Sequence, residues 1–196
     1  EMMKMNELPP FEAFPKIARF NREITITEKI DGTNALVYVD DAGVVIAGSR
    51  NRWITPTDDN LGFAKWVEAN TEDLRNLGAG YHYGEWWGSG IQRRYGLDHK
   101  RFSLFNAGRW ADEAVRPKCC HVVPIITEGS MSESRIADAI SRLRNTGSWA
   151  AQGFDRPEGV VIWHHAARQY FKVTLDGDDE PKEVAERRKK YQATRR

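Results

Sequence analysis

Residues Glu23–Lys29 (EITITEK) alternate β-branched and polar side chains with period two, which predicts a half-buried strand ending at a lysine. Thr33–Val39 (TNALVYV) and residues 44–48 (VVIAG) flank Asp40, Asp41, Ala42 and Gly43, a turn-forming cluster, and so predict a β-hairpin. Residues 60–77 place Leu61, Ala64, Val67, Leu74 and Leu77 near helical spacing around polar Asn70 and Thr71, as one helix or two. Residues 80–87 (GYHYGEWW), 101–106 (RFSLFN) and 121–124 read as further strands. Ser130 and Glu133 match a capping box ahead of Ile136, Ile140 and Leu143, a helical stripe expected in the core. Residues 158–163 (EGVVIW) and 170–175 (YFKVTL) form a second candidate hairpin, with His164 and His165 expected in its turn. Strands follow strands instead of alternating with helices, so the expected class is α+β, with mostly antiparallel sheets and flanking helices.

With 196 residues, 40% of them hydrophobic and 11% aromatic, the chain can bury the core of one domain. No linker long enough to separate two domains is visible. We expect a body over residues 1–178 and a basic helical tail over 179–196. No apolar run approaches the roughly 20 residues of a membrane helix. The first seven residues lack the apolar core and cleavage site of a secretory signal, so the expected setting is cytoplasmic, without a membrane partner, and the expected state a monomer. Cys119 and Cys120 are adjacent, poorly placed to bridge each other, and with His121 they are too few separated ligands for zinc; they read as reduced strand residues.

The net charge of +1 does not decide for or against a nucleic-acid partner, but its distribution is uneven. Residues 182–196 hold seven bases, among them Arg187, Arg188, Lys189 and Lys190, against Glu183 and Glu186. That stretch fits an electrostatic contact for phosphates or a solvated terminal helix.

Lys29 stands at the end of its predicted strand, just before Asp31 and Gly32. A lysine nucleophile needs its free amine, reached through desolvation or neighbouring positive charge. Alone, such a lysine is a common hairpin corner. Its company matters more: KIDGTN (29–34), SRNRW (49–53), YGEWWG (83–88), EGVV (158–161) and FKV (171–173) follow in order. Together these segments resemble the motifs of the covalent nucleotidyltransferases, the superfamily of polynucleotide ligases and mRNA-capping enzymes. EKIDGTN, with Glu28 before the lysine and Asn34 five residues after it, is more similar to the RNA ligase 2 group than to DNA ligases, whose motif usually has arginine where Asn34 stands.

The resemblance implies an ATP-grasp-like nucleotidyltransferase domain in which Lys29 forms lysyl-AMP. It further implies that the main chain at Glu28 and Ile30 meets the adenine edge and that Asn34 lies near the phosphate. Arg50 would hold the ribose or a nucleic-acid phosphate, Glu85 the ribose or a metal-bound water, and Phe105 would stack on adenine. Glu158 would act on the metal side of the reacting phosphate, and Lys172 would contact the α-phosphate. These residue types suit the chemistry, because phosphoryl transfer is catalysed by positioned cations and by carboxylates that hold a metal. Glu85 and Glu158 suit Mg²⁺ or Mn²⁺, Lys172 supplies a point charge, and Val160 or Val161 opposite Phe105 suits a purine sandwich.

One departure stands out. The related motif usually has two lysines spaced by one residue, and here Thr174 stands two beyond Lys172. Arg168, Lys182 or a tail residue would have to compensate. Residues 88–96 (GSGIQRRYG) fit a mobile loop whose Arg93 and Arg94 meet nucleic-acid phosphates, with Arg52 nearby in the chain's second motif. Trp53, Trp86 and Trp87 are candidate stacking surfaces, or core.

The implied reaction transfers AMP from ATP to Lys29, then to a 5′-phosphate end, after which a 3′-hydroxyl displaces it. Only 28 residues precede Lys29, which disfavours NAD⁺, and only 24 follow Lys172, too few for an OB-fold. The partner is RNA, or DNA with the same chemistry. A GTP-dependent capping enzyme and a noncatalytic nucleic-acid-binding relic of the fold are the other readings.

Overall fold

The computed structural model describes residues 8–176. The expected tail over 179–196, its boundary, and Lys182, Arg187, Arg188, Lys189 and Lys190 lie outside the described residues.

β1 (Glu23–Lys29) forms where the period-two pattern predicts a strand, yet it is buried on both faces. The reason is its position: β1 lies between β8 (Ile125–Ser130) and β9 (Gly159–His164), and β10 (Gln169–Thr174) completes an antiparallel sheet in the order β10-β9-β1-β8. Ile24, Ile26, Val160 and Ile162 pack from this sheet onto Ala139 and Leu143 of α4 (Glu133–Thr146). On the other face Thr25 and Thr27 are buried, and the Thr25 hydroxyl donates to Glu128 Oε1 at 3.0 Å.

The chain leaves this sheet after Lys29 and enters a second one as β2 (Thr33–Val39). Here β3 (Val45–Gly48), β4 (Trp53–Ile54), β5 (Gly80–Gly88), β6 (Lys100–Leu104) and β7 (His121–Val122) give the order β4-β3-β2-β5-β6-β7. All neighbours are antiparallel except β6 and β7. Ala35, Val37 and Val39 point inward, onto α1 (Phe63–Ala69) and α2 (Thr71–Leu74) through Phe63, Val67 and Leu74. Where the sheets meet, Ile30, Trp87, Tyr95, Val123 and Ala151 form a third apolar cluster. The architecture is α+β with mostly antiparallel sheets, and among the described residues no helix is long and apolar enough to cross a membrane.

Several local expectations change. The apolar pattern of residues 60–77 breaks at Asn70, whose side chain donates to Trp66 O at 2.8 Å, and two helices result. β8 has too short an alternation to be seen in advance. It takes Ser130, so the cap of α4 is Ser132, which accepts from Arg135 N at 3.1 Å. α3 (Ala107–Trp110) follows the predicted strand at 101–106 because Asn106 caps it. Cys119 and Cys120 are free thiols in the turn before β7, not strand residues. Trp86 and Trp87 are core, their indoles bonded to Leu61 O and Ser103 Oγ, so neither is a stacking surface. His164 ends β9, buried, with Nε2 2.7 Å from Phe20 O, and only His165 lies in the turn.

The close pairing of β5 and β6 can be tested at Gly84, where an added Cβ would stand 2.4 Å from Ser103 O. Overpacking of this kind costs about 1–3 kcal/mol, a fall of roughly 2–12 °C in Tm for a chain of this size. Thermal unfolding of Gly84→Ala is expected to show it, and an unchanged Tm would contradict this register.

Candidate active site

Lys29 is the last residue of β1 and pairs with Gly159 of β9, which sets Glu158 beside it. Lys29 Nζ lies 2.8 Å from Glu158 Oε1, with both side chains mostly buried. The second carboxylate oxygen, Glu158 Oε2, is buried and accepts no hydrogen bond from any described residue. Three residues past Lys29 the chain presses against β5: a Cβ on Gly32 would stand 2.4 Å from Trp86 O and 2.7 Å from Trp87 Cβ, so glycine is required. Gly32 N donates to Glu85 Oε1 at 3.0 Å. Asp31 is held from two sides, its N–H donating to the Tyr95 hydroxyl at 2.7 Å and its Oδ2 accepting from Arg93 Nε at 3.0 Å.

Three carboxylates, Asp31, Glu85 and Glu158, therefore crowd around Lys29 and Arg93. Burial pushes the Glu85 carboxyl up to about 7, with the charges of Glu158 and Asp31 adding to it against the Gly32 amide and Lys29. Glu28, one residue before the lysine, turns its side chain away, to the face that Val160 shares. Its carboxylate accepts from Ser148 Oγ at 2.7 Å and from the amides of Trp149 and Ala150 at 2.8 Å each. Burial raises its pKa even so.

Between the two sheets opens a cavity of about 460 Å³, within the range of nucleotide-sized ligand sites. It brings together Glu28, Lys29, Ile30, Asn34, Glu85, Phe105 and Lys172, seven of the residues that the sequence motifs single out. Glu158 reaches it through its ion pair with Lys29. An adjoining hollow of about 390 Å³ shares Asn34 and Phe105 with this cavity and adds Arg50 and Arg52. Arg52 is paired with Asp58 at 2.8 Å.

Two expectations are corrected. Val160 is wholly buried against Ile24 and Ile162, and Val161, its neighbour on the opposite face of β9, lines the cavity instead. A period of two leaves only one of the pair facing each side. Residues 88–96 are not a loose loop, since Ile91 and Tyr95 are buried and Arg93 also bonds Arg156 O at 3.1 Å and Asp176 at 3.5 Å. Arg93 is committed to the turn at Asp31; Arg94 is exposed in a turn with φ of 62°, outside the cavity. Sequence reasoning missed Tyr95, which a lone aromatic in a glycine-rich stretch signals weakly, and Ser148, which nothing in the sequence marks.

The chain belongs to the RNA ligase family, whose model matches residues 22–174. Comparison with curated proteins found no match. Solved structures of Naegleria gruberi RNA ligase share the fold. A lysine mutant with ATP and Mn has a TM-score of 0.60 and 20% identity over 80% of this chain and 50% of that one. An aspartate mutant in the apo form has a TM-score of 0.61 and 18% identity, covering 88% of this chain and 60% of that one. The chain thus spans 50 to 60% of the length of these relatives.

The raised Glu85 pKa has a stability consequence. The folded protein holds this proton to about pH 7, against an ordinary value of 4.5, so it binds more protons than the unfolded chain in between. Stability therefore falls as pH rises through that window and is flat above it. Glu85→Gln keeps an acceptor for Gly32 N and removes the loss. Urea unfolding is expected to find it more stable than wild type at pH 8, by at most on the order of 3 kcal/mol, with the advantage shrinking toward pH 4. A difference independent of pH would refute this.

Proposed function

We propose that this chain is the adenylating domain of an ATP-dependent RNA ligase, joining 5′-phosphate and 3′-hydroxyl ends through lysyl-AMP at Lys29 and an adenylated 5′ end. The observation that carries the reading is the Lys29–Glu158 pair at the edge of a nucleotide-sized cavity that Lys172 also lines. The family match favours RNA over DNA. The reading includes a monomer working in the cytoplasm.

Glu158 at 2.8 Å is within reach to take a proton from the Lys29 ammonium. The amine lone pair then attacks the α-phosphorus of ATP; a P–N bond forms as the P–O bond to pyrophosphate breaks. A 5′-phosphate oxygen of RNA next displaces Lys29, and a 3′-hydroxyl displaces AMP. Glu28 N–H donates to Pro124 O at 3.0 Å, and proline has no N–H to return. The Glu28 carbonyl and the Ile30 amide are therefore the groups we assign to the adenine edge, with Phe105 and Val161 as apolar walls. Asn34 and Arg50 would meet the phosphate and ribose at the cavity's outer side.

Mg²⁺ or Mn²⁺ fits this donor set. Glu158 Oε2 is buried without a partner among the described residues, and a divalent cation would offset the neighbouring carboxylate charges that add to the effect of burial on Glu85. When bound, the ion would be held by Glu85 and Glu158 and would neutralise phosphate charge. Among the described residues no three Asp, Glu, His or Cys side chains converge on one metal position, so phosphate and water oxygens would complete its shell. Some of the Naegleria structures were determined with ATP or AMP and Mn.

Thr174, where the resembled motif usually has its second lysine, is buried beside Gly159. Arg168 sits in the β9–β10 turn, at the other end of that hairpin. We assign the compensating charge to Arg93, already fastened beside Asp31 and interacting with Glu158. The basic tail remains a proposed phosphate clamp.

Incubation with α-labelled ATP and Mg²⁺ tests the reading. Wild type is expected to form an acid-labile covalent adduct, absent in Lys29→Ala and slowed roughly 100-fold or more in Glu158→Gln. Adduct formation by Lys29→Ala would overturn the assignment, and labelling by GTP in preference to ATP would favour a capping enzyme.

A further inference from the structure

β2 and β5 pair in a register that sorts their side chains cleanly. Asn34 faces outward beside Glu85, Leu36 beside Tyr83, and Tyr38 beside Tyr81, while Ala35, Val37 and His82 are buried on the other face. The first pair lines the nucleotide cavity, and the next two continue away from it for roughly 13 Å along the strands. Along that path Tyr81 and Tyr83 are each 58% exposed and Trp53 is 51% exposed. The rings touch in sequence: Tyr83 to Tyr81 at 6.4 Å and 12° between planes, Tyr81 to Tyr38 at 4.7 Å, Tyr38 to Trp53 at 5.9 Å.

The open face of an antiparallel sheet ordinarily carries polar residues. An exposed aromatic row marks a binding surface. Its occupant follows from where it leads. The hollow floored by Tyr83 and Trp53 merges with the cavity at Asn34 and Phe105, so a polymer whose end reacts at Lys29 can lie along this face. Arg50 and Arg52 border it, and Arg50 makes no ion pair or side-chain hydrogen bond with any described residue. Flat rings beside guanidinium groups bind unpaired bases and their phosphates, whereas a duplex offers no base faces to stack. Beyond Tyr38 the β2–β3 turn carries Asp40 and Asp41, which ends the path.

We propose that Tyr83, Tyr81, Tyr38 and Trp53 form a stacking platform for a single-stranded RNA end running to Lys29. This rests on the ligase reading and narrows its substrate class to unpaired ends. The test measures binding of a fluorescein-labelled single-stranded oligoribonucleotide, and of the same sequence in a nicked duplex, by anisotropy. The double variant Tyr81→Ala with Trp53→Ala is expected to bind the single strand at least about tenfold more weakly, Tyr81→Phe to bind as wild type does, and both to self-adenylate normally. Unchanged single-strand affinity in the double variant, tighter wild-type binding to the nicked duplex, or a wild-type dimer in sedimentation that the double variant dissociates would overturn the platform. If wild type self-adenylates while the platform fails, only the substrate inference falls; if wild type forms no adduct, the ligase reading itself falls.

Discussion

Where the chain crosses from the first sheet to the second there is no room for a side chain at Gly32, and the surroundings of Lys29 follow from that contact. Pressing the backbone onto Trp86 and Trp87 brings the Gly32 amide to Glu85 and turns Asp31 toward Tyr95 and Arg93. The lysine immediately before the crossing is left at the seam between two sheets, with Glu158 supplied by the strand pairing of β1 and β9. Glu28 braces the same seam from behind. Its buried carboxylate accepts three hydrogen bonds from residues 148–150, so the segment after α4 is tied to the nucleophile's own strand.

The crowding has an electrostatic consequence. Lys29 and Arg93 carry less positive charge than Asp31, Glu85 and Glu158 carry negative, and burial keeps water from screening the difference. Burial above all, with this crowding adding to it, holds a proton on Glu85 to about pH 7. In the proposed reaction an anionic triphosphate must enter this site. Lys172 in the cavity lining and a divalent cation on the two glutamates would then balance its charge, and Glu158 Oε2, without a hydrogen-bond partner among the described residues, is the atom placed to take part.

Much of the fold was legible because strand and helix periods are local. The alternation in residues 23–29, the hairpin around Asp40 to Gly43 and the stripe on α4 all appear where their spacing puts them. β8 escaped because IITEGS alternates too briefly, and its pairing with β1 forms across about a hundred residues of chain. The cap of α4 moved from Ser130 to Ser132 for the same reason, since strand pairing claimed the earlier serine. Trp86 and Trp87 against Tyr81 and Tyr83 show the limit well. All four lie in one strand, and only the pleat and the covering helices decide which are core and which are open.

By itself the sequence determined the α+β class and the order of the motif segments, because these depend on residue type and short-range spacing, and the family resemblance of those segments singled out Lys29, Glu85, Glu158 and Lys172 as the residues to watch. Only the tertiary structure decided that Val161 and not Val160 faces the cavity, that Arg93 is bound to Asp31 and not loose, and that Glu28 works through its side chain as a brace. Those outcomes depend on register, on which sheet face is covered and on contacts between segments far apart in the chain. None of these leaves a periodic trace in the residues themselves.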